Sequence, residues 1–169
     1  PPELIIFAAG RPKYLEGEAA EISEGVVMRD KLFRRLDEEE LGEAIVLTDN
    51  KNTKDDIIES LRILKERGIS KAVVITVEVH TARTAEFIRL AREELGIEDI
   101  ELDLVSAEDI LSSVDSRFAA IFAAVRESEP YRRTQDKEKR GTQALRDGNY
   151  NTTAQGYEFA SDKKLGSRT

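Results

Sequence analysis

The sequence predicts an α/β fold, a Rossmann-like three-layer sandwich with a mainly parallel sheet of four or five strands. Three observations predict it. Four short apolar, β-branched runs recur along the chain, segments with helical periodicity separate them, and glycines close two of those segments. Strand and helix therefore alternate, as crossover connections between parallel strands require.

The first run, Leu4-Ile5-Ile6-Phe7, reads as a strand. After it, Ile22, Val26, Arg29, Leu32, Phe33 and Leu36 fall at three- and four-residue spacing and predict a helix. Ala44-Ile45-Val46-Leu47 is the second strand, and Ile57, Ile58, Leu61 and Leu64 mark the helix after it. That helix starts at Thr53, with Asp56 three residues on in an approximate capping box, and stops at Gly68. Ala72 to Val77 forms the third strand. Like the second, it is nearly continuous in apolar character, as strands covered by helices on both faces are. The next helix runs from Thr81 to Leu95, carries Ala85, Ile88, Ala91 and Leu95 inward, and stops at Gly96. Ile100-Glu101-Leu102-Asp103-Leu104-Val105 alternates, the pattern of an edge strand with one wetter side. Ile110, Leu111, Val114, Phe118, Ile121, Phe122 and Val125 then predict one well-buried helix from about Ala107 to Ser128.

The organisation expected is an α/β domain over residues 1–130, followed over 131–169 by a polar C-terminal helix and an extended tail. Residues 131–147 read as an exposed helix. The remainder needs a groove or a neighbouring subunit to become ordered, so the tail is the expected route to a homo-oligomer. A length of 169 residues suits one domain at roughly 150 residues each. Twenty-six basic against 34 acidic residues give a net charge of −8, which argues against nucleic acid as a partner. Cysteine is absent, which excludes disulfides and Cys-ligated metals and favours a cytoplasmic setting. The longest apolar runs, Leu4 to Ala9 and Ala72 to Val77, are too short to cross a bilayer. The chain opens on Pro1-Pro2 with no Met, consistent with a piece of a longer protein.

Ligands of open α/β sheets bind outside the carboxyl ends of the strands, so the residues directly after each apolar run carry the functional reading. Gly10-Arg11-Pro12-Lys13 follows the first strand, with Ser23-Glu24-Gly25 opening its helix. Asp49-Asn50-Lys51-Asn52-Thr53 follows the second, leading into Asp55 and Asp56. Glu78-Val79-His80-Thr81-Ala82-Arg83 follows the third. Each has a plainer explanation. Gly10 also suits a left-handed turn, Asn52 and Thr53 a loop residue and an N-cap, and Asp55 and Asp56 acids complementing a helix dipole. His80, the only histidine, is harder to assign to packing, and Arg83 lies one helical turn beyond it. No G-x-S-x-G elbow, Walker loop or G-x-G-x-x-G fingerprint is present.

The segment Asn52-Thr53-Lys54-Asp55-Asp56, the Lys-Glu-Arg-Gly-Ile stretch at 65–69, the strand Ala72 to Thr76 and then His80-Thr81-Ala82-Arg83 resemble the domain-of-unknown-function 218 family, the YdcF-, SanA- and ElyC-like proteins. That family shows N-T-x-E-N after one strand and T-S-x-x-H-x-x-R after the next, with an S-G-G turn and a Ser-Glu pair upstream. Here Ala8-Ala9-Gly10 and Ser23-Glu24 stand in the last two places, and the resemblance covers roughly residues 4–105. It implies a Rossmann-like pocket at the strand ends, formed by Gly10, Glu24, Asn52, Thr53, Asp56, Thr76, His80 and Arg83. It also implies S-adenosylmethionine as a cofactor, or a part in bacterial envelope biogenesis. Ala8, Ala9, Asp55, Asp56 and Val77 depart from the pattern, removing hydroxyl donors and adding negative charge, which favours a cationic group or a metal. The family's usual first strand and helix also have no counterpart. Either the sequence is a fragment or variant, or the C-terminal tail or a partner chain fills that place.

The leading expectation is a small-molecule-binding domain, for S-adenosylmethionine or a nucleotide-like ligand. In it His80 and Arg83 meet a polar or anionic part of the ligand, and Glu24 and Asp56 a cationic part. Arg11 joins the cofactor-binding candidates from the first strand end. The alternatives are a Mg²⁺-assisted hydrolase of phosphate or activated esters, with Asp49, Asp56 and His80 around the metal, and a non-catalytic assembly module with a degenerate pocket.

Overall fold

Each apolar run forms a strand, and the strands pair two by two. In a computed structural model, which describes residues 2–9, 23–36, 42–50 and 52–150, strand β1 (Leu4–Ala8) lies parallel to β2 (Glu43–Leu47). Strand β3 (Lys71–Thr76) lies parallel to β4 (Glu101–Ser106). Six α-helices complete the described residues: α1 (Glu24–Phe33), α2 (Thr53–Glu66), α3 (Thr81–Leu95), α4 (Ala107–Val114), α5 (Ser116–Glu127) and α6 (Glu129–Arg146). A 3₁₀ turn, Glu78–His80, links β3 to α3. The architecture is α/β as expected. The hydrogen-bonded sheets, however, are two parallel pairs rather than one sheet of four or five strands. Periodicity sets which face of a strand is apolar and says nothing about which edges pair. The described residues form two compact units, one within residues 1–60 and the other over Leu61–Tyr150.

In the first unit the register runs in step from Leu4 opposite Glu43 to Ala8 opposite Leu47, with Phe7 and Leu47 buried. Helix α1 is tied to the end of β1, because the Gly25 amide and the Ser23 hydroxyl both donate to the Ala9 carbonyl, at 2.8 and 3.2 Å. The approach is close enough to require glycine. A Cβ at residue 25 would lie 2.9 Å from the carbonyl oxygens of Phe7 and Ala9 and 3.0 Å from Val46 Cγ1.

In the second unit Phe87, Ile88 and Ala91 of α3 are buried, and Leu61, Leu64, Ile97, Ile100 and Leu145 belong to the same buried set. Helix α3 has the predicted bounds and ends on Gly96 in the left-handed conformation, where the Ile97 amide donates back to Arg92. Ile88 and Ala91 are buried as expected, but the rest of its buried face differs. Arg83, Thr84 and Phe87 point inward, and Ala85 is exposed. Strand β3 is not covered on both faces, since Val73 and Ile75 are 57% and 61% exposed. An unbroken apolar run thus alternates in burial here, with Lys71, Val73 and Ile75 on the exposed side. Strand β4 alternates as its sequence indicates.

The single buried helix expected over 107–128 is two helices. Asp115 is extended, and its carboxylate accepts the Arg117 amide at 2.9 Å, capping α5. Neither α4 nor α5 has a fully buried residue, although the Phe118 and Phe122 rings stack. The polar C-terminal helix forms as α6, starting behind the Ser128 cap with proline in its first turn. It is not wholly exposed. Glu138, Gly141, Thr142 and Leu145 are buried on one face, packed toward α3. Residues 151–169 of the expected tail lie outside the described residues. No helix among the described residues is long and apolar enough to cross a membrane.

Gly25 and Gly141 are both helical glycines, but a Cβ at Gly141 meets only Arg83 Cδ at 3.6 Å and Tyr150 Cε2 at 3.7 Å, ordinary contact distances. Gly25→Ala is therefore expected to cost about 2 kcal/mol by overpacking. Gly141→Ala should instead gain roughly 0.5–1 kcal/mol of helix propensity. Urea unfolding midpoints of the two variants should move in opposite directions.

Candidate functional site

The sequence-predicted site residues fall into two groups, one in each unit. Gly10 and Arg11 lie outside the described residues. In the first unit Glu24 opens α1 on the surface, and Asn52 and Thr53 open α2. The cap is Asn52 rather than Thr53. Its Oδ1 accepts the Asp55 amide at 3.0 Å while its Nδ2 donates to Asp55 Oδ2, a reciprocal pair with capping-box spacing one residue earlier than expected. Asp56 is half-buried and accepts from Asn50 Nδ2 at 3.0 Å. Burial pushes its carboxyl above the ordinary carboxylate range; the Asn50 hydrogen bond opposes the shift, and the nearby Asp55 and Glu24 charges reinforce it. The structure thus brings Glu24 and Asp56 within electrostatic reach of each other, while Asn52 is occupied as a cap.

In the second unit Thr76 ends β3 opposite the buried Ser106, whose hydroxyl caps α4 by accepting the Asp109 amide. The 3₁₀ turn follows at once and carries His80, with Arg83 in the first turn of α3. Both meet a residue that sequence reading had not singled out. Glu138 Oε2 of α6 lies 2.9 Å from Arg83 Nε and 3.2 Å from His80 Nδ1. The Arg83 and Glu138 side chains are only 5% and 7% exposed, whereas His80 is 38% exposed. Neither approach has the directionality of a hydrogen bond, so the Arg83–Glu138 contact is one of opposite charges at close range. Arg83 Nη1 also donates to the Tyr150 hydroxyl at 3.3 Å, and the Tyr150 ring packs edge-on against Phe87.

A second polar cluster adjoins this one. Arg126 grips Glu78 from α5, with Nε and Nη2 at 2.8 and 2.7 Å from Oε2, and the Glu78 amide donates to Glu108 Oε2 at 2.8 Å. Tyr131 stands beside them. Burial raises its phenol above the usual tyrosine range, the Glu78 and Glu108 charges push the same way, and Arg126 opposes them. The hydroxyl therefore stays protonated at neutral pH and able to donate. Between the 3₁₀ turn and α6 runs a groove of about 420 Å³. Val79 and Ala82 form one wall, Tyr131, Lys139 and Arg146 line the other, and the buried Glu138 lies along its floor. That volume is in the range of small-molecule sites. Among the described residues no group of three or more His, Asp or Glu side chains is placed to hold a metal ion.

Glu138 escaped sequence reading because its helix is polar on every side, yet the signal existed. Glu138, Gly141, Thr142 and Leu145 repeat at three- and four-residue spacing, a buried stripe with Leu145 as its one large apolar side chain. Thr142 belongs there because its hydroxyl donates back to the Glu138 carbonyl at 2.9 Å.

Glu138→Gln leaves a buried guanidinium without its counter-charge and should cost about 3 kcal/mol in urea unfolding. Adding Arg83→Met should recover much of that loss. Asp56 has the opposite character. Folding raises its pKa, so its stabilising contribution is present in acid and lost as pH rises through the folded pKa. Asp56→Asn keeps an acceptor for Asn50, and should raise stability at neutral pH and flatten the stability profile measured from about pH 4 to about pH 8.

Comparison with protein-family models, curated proteins and solved structures gives no match to this chain.

Proposed function

We propose that this chain is a small-molecule-binding domain of Rossmann-like architecture, with its ligand site at the C-terminal end of β3. One observation carries the reading: a buried Arg83–Glu138 pair sits beneath a partly exposed His80, at a strand end, beside a groove of ligand size. Ion pairs taken out of water are poor stabilisers compared with apolar packing, so a buried pair at a strand end is better explained by a site than by the core. Glu138 sets a carboxylate beside both the His80 and Arg83 side chains. Tyr131, with its protonated hydroxyl, offers a donor and a flat ring. The motif resemblance makes S-adenosylmethionine and nucleotide-like molecules the first ligands to try, with His80 and Arg83 as the contacting or positioning residues.

Isothermal calorimetry with S-adenosylmethionine and adenosine 5′-monophosphate, on the unaltered chain and on His80→Ala, tests the assignment. The His80 ring is partly exposed, so its loss should leave the fold intact and weaken binding about tenfold or more. Equal affinity in the two proteins removes His80 from the site. Absence of heat with every ligand counts against the reading as a whole.

A further inference from the structure

We infer that the groove between the 3₁₀ turn and α6 takes a small organic oxyanion, a phosphate or carboxylate carried on a flat or apolar body, through Lys139 and Arg146. This deepens the small-molecule reading and rests on it. Three carboxylates in or beside the groove are already matched by arginines. Glu78 lies 2.7 Å from Arg126, Glu138 2.9 Å from Arg83, and Glu86 2.8 Å from Arg89. Glu108 adds a carboxylate at the Glu78 end, where it accepts the Glu78 amide. At the opposite end the balance is positive. The Lys139 ammonium meets the neutral Gln135 Oε1 at 3.2 Å, and Arg146 pairs with Glu86 at 3.7 Å, sharing that carboxylate with Arg89.

Lys139 and Arg146 are seven residues apart, two turns of one helix, so they project over the same groove with Thr142 and Gln143 between them. Thr142 spends its proton on the Glu138 carbonyl, and the Gln143 amide donates to Asp147 at 2.9 Å. The anion is therefore held chiefly by the two cations. Tyr131, Val79 and Ala82 line the rest of the groove and offer a surface for the body of the molecule. In a chain of net charge −8, the Lys139–Arg146 end of the groove is a local cationic patch that draws an anion.

Amide chemical shifts of the full chain should be followed by NMR while inorganic phosphate, adenosine 5′-monophosphate and citrate are added, with uncharged adenosine and cationic S-adenosylmethionine as contrasts. The expected result is saturable movement of residues 135–146 with at least one of the anions, stronger at low salt and absent with adenosine. A preference for adenosine 5′-monophosphate assigns a phosphate ligand, and a preference for citrate a carboxylate. Lys139→Ala with Arg146→Ala, both exposed and outside the core, should weaken that binding about tenfold or more without changing the unfolding midpoint. Two outcomes overturn the inference: no movement of these amides with any of the three anions, or unchanged affinity in the double variant. Movement with S-adenosylmethionine or adenosine but not with the anions rejects the anionic ligand while leaving the small-molecule reading in place. Silence with all five rejects both.

Discussion

The buried contact between Arg83 and Glu138 organises the second unit. A guanidinium and a carboxylate, each almost fully removed from water, must be held close together, because either one alone would carry a large desolvation penalty. Their meeting fixes where α6 lies against α3. Once Glu138 is seated, the helical period brings Gly141, Thr142 and Leu145 to the same interface. Gly141 packs beside the Arg83 stem, Thr142 closes its own hydrogen bond within the helix, and Leu145 adds apolar burial. Past the helix, the turn through Gly148 carries Tyr150 to Phe87 and to the Arg83 guanidinium.

The same constraint shapes the groove. Because Glu138 is used inward, the neighbouring Lys139 and, two turns on, Arg146 are presented along the opening. The Glu78–Arg126 contact does comparable work at the other end, joining the 3₁₀ turn to α5 and placing Tyr131 between them. Both contacts hold the short segment after β3 in place by charge rather than by apolar packing. That segment is where a parallel α/β arrangement presents its ligands.

Local chemistry was readable wherever a signal and its partner lay within one helical turn. The stop at Gly96, the capping segment before α2, and the helix over Thr81–Leu95 follow from residue type and spacing alone. His80 and Arg83 stood out because a lone histidine directly after a strand has few packing explanations. Glu138 did not, because the spacing of Glu138, Gly141, Thr142 and Leu145 marks a face of the helix but not the arginine fifty-five residues earlier in the chain that the carboxylate meets. The continuous helix expected over 107–128 fails at Asp115. Its apolar residues keep a helical period across a break that one capping carboxylate is enough to make.

By itself the sequence determined the alternation of strand and helix, the parallel sense of pairing and the residues at the strand ends, since periodicity, capping and turn chemistry are local properties of the chain. Only the tertiary structure decided that the strands pair two by two, that β3 leaves one apolar face uncovered, and that the C-terminal helix turns a carboxylate inward to meet Arg83 and His80. Those outcomes depend on which surfaces meet across long stretches of chain. A buried charge, in particular, acquires its partner and its meaning only when folding brings the two together.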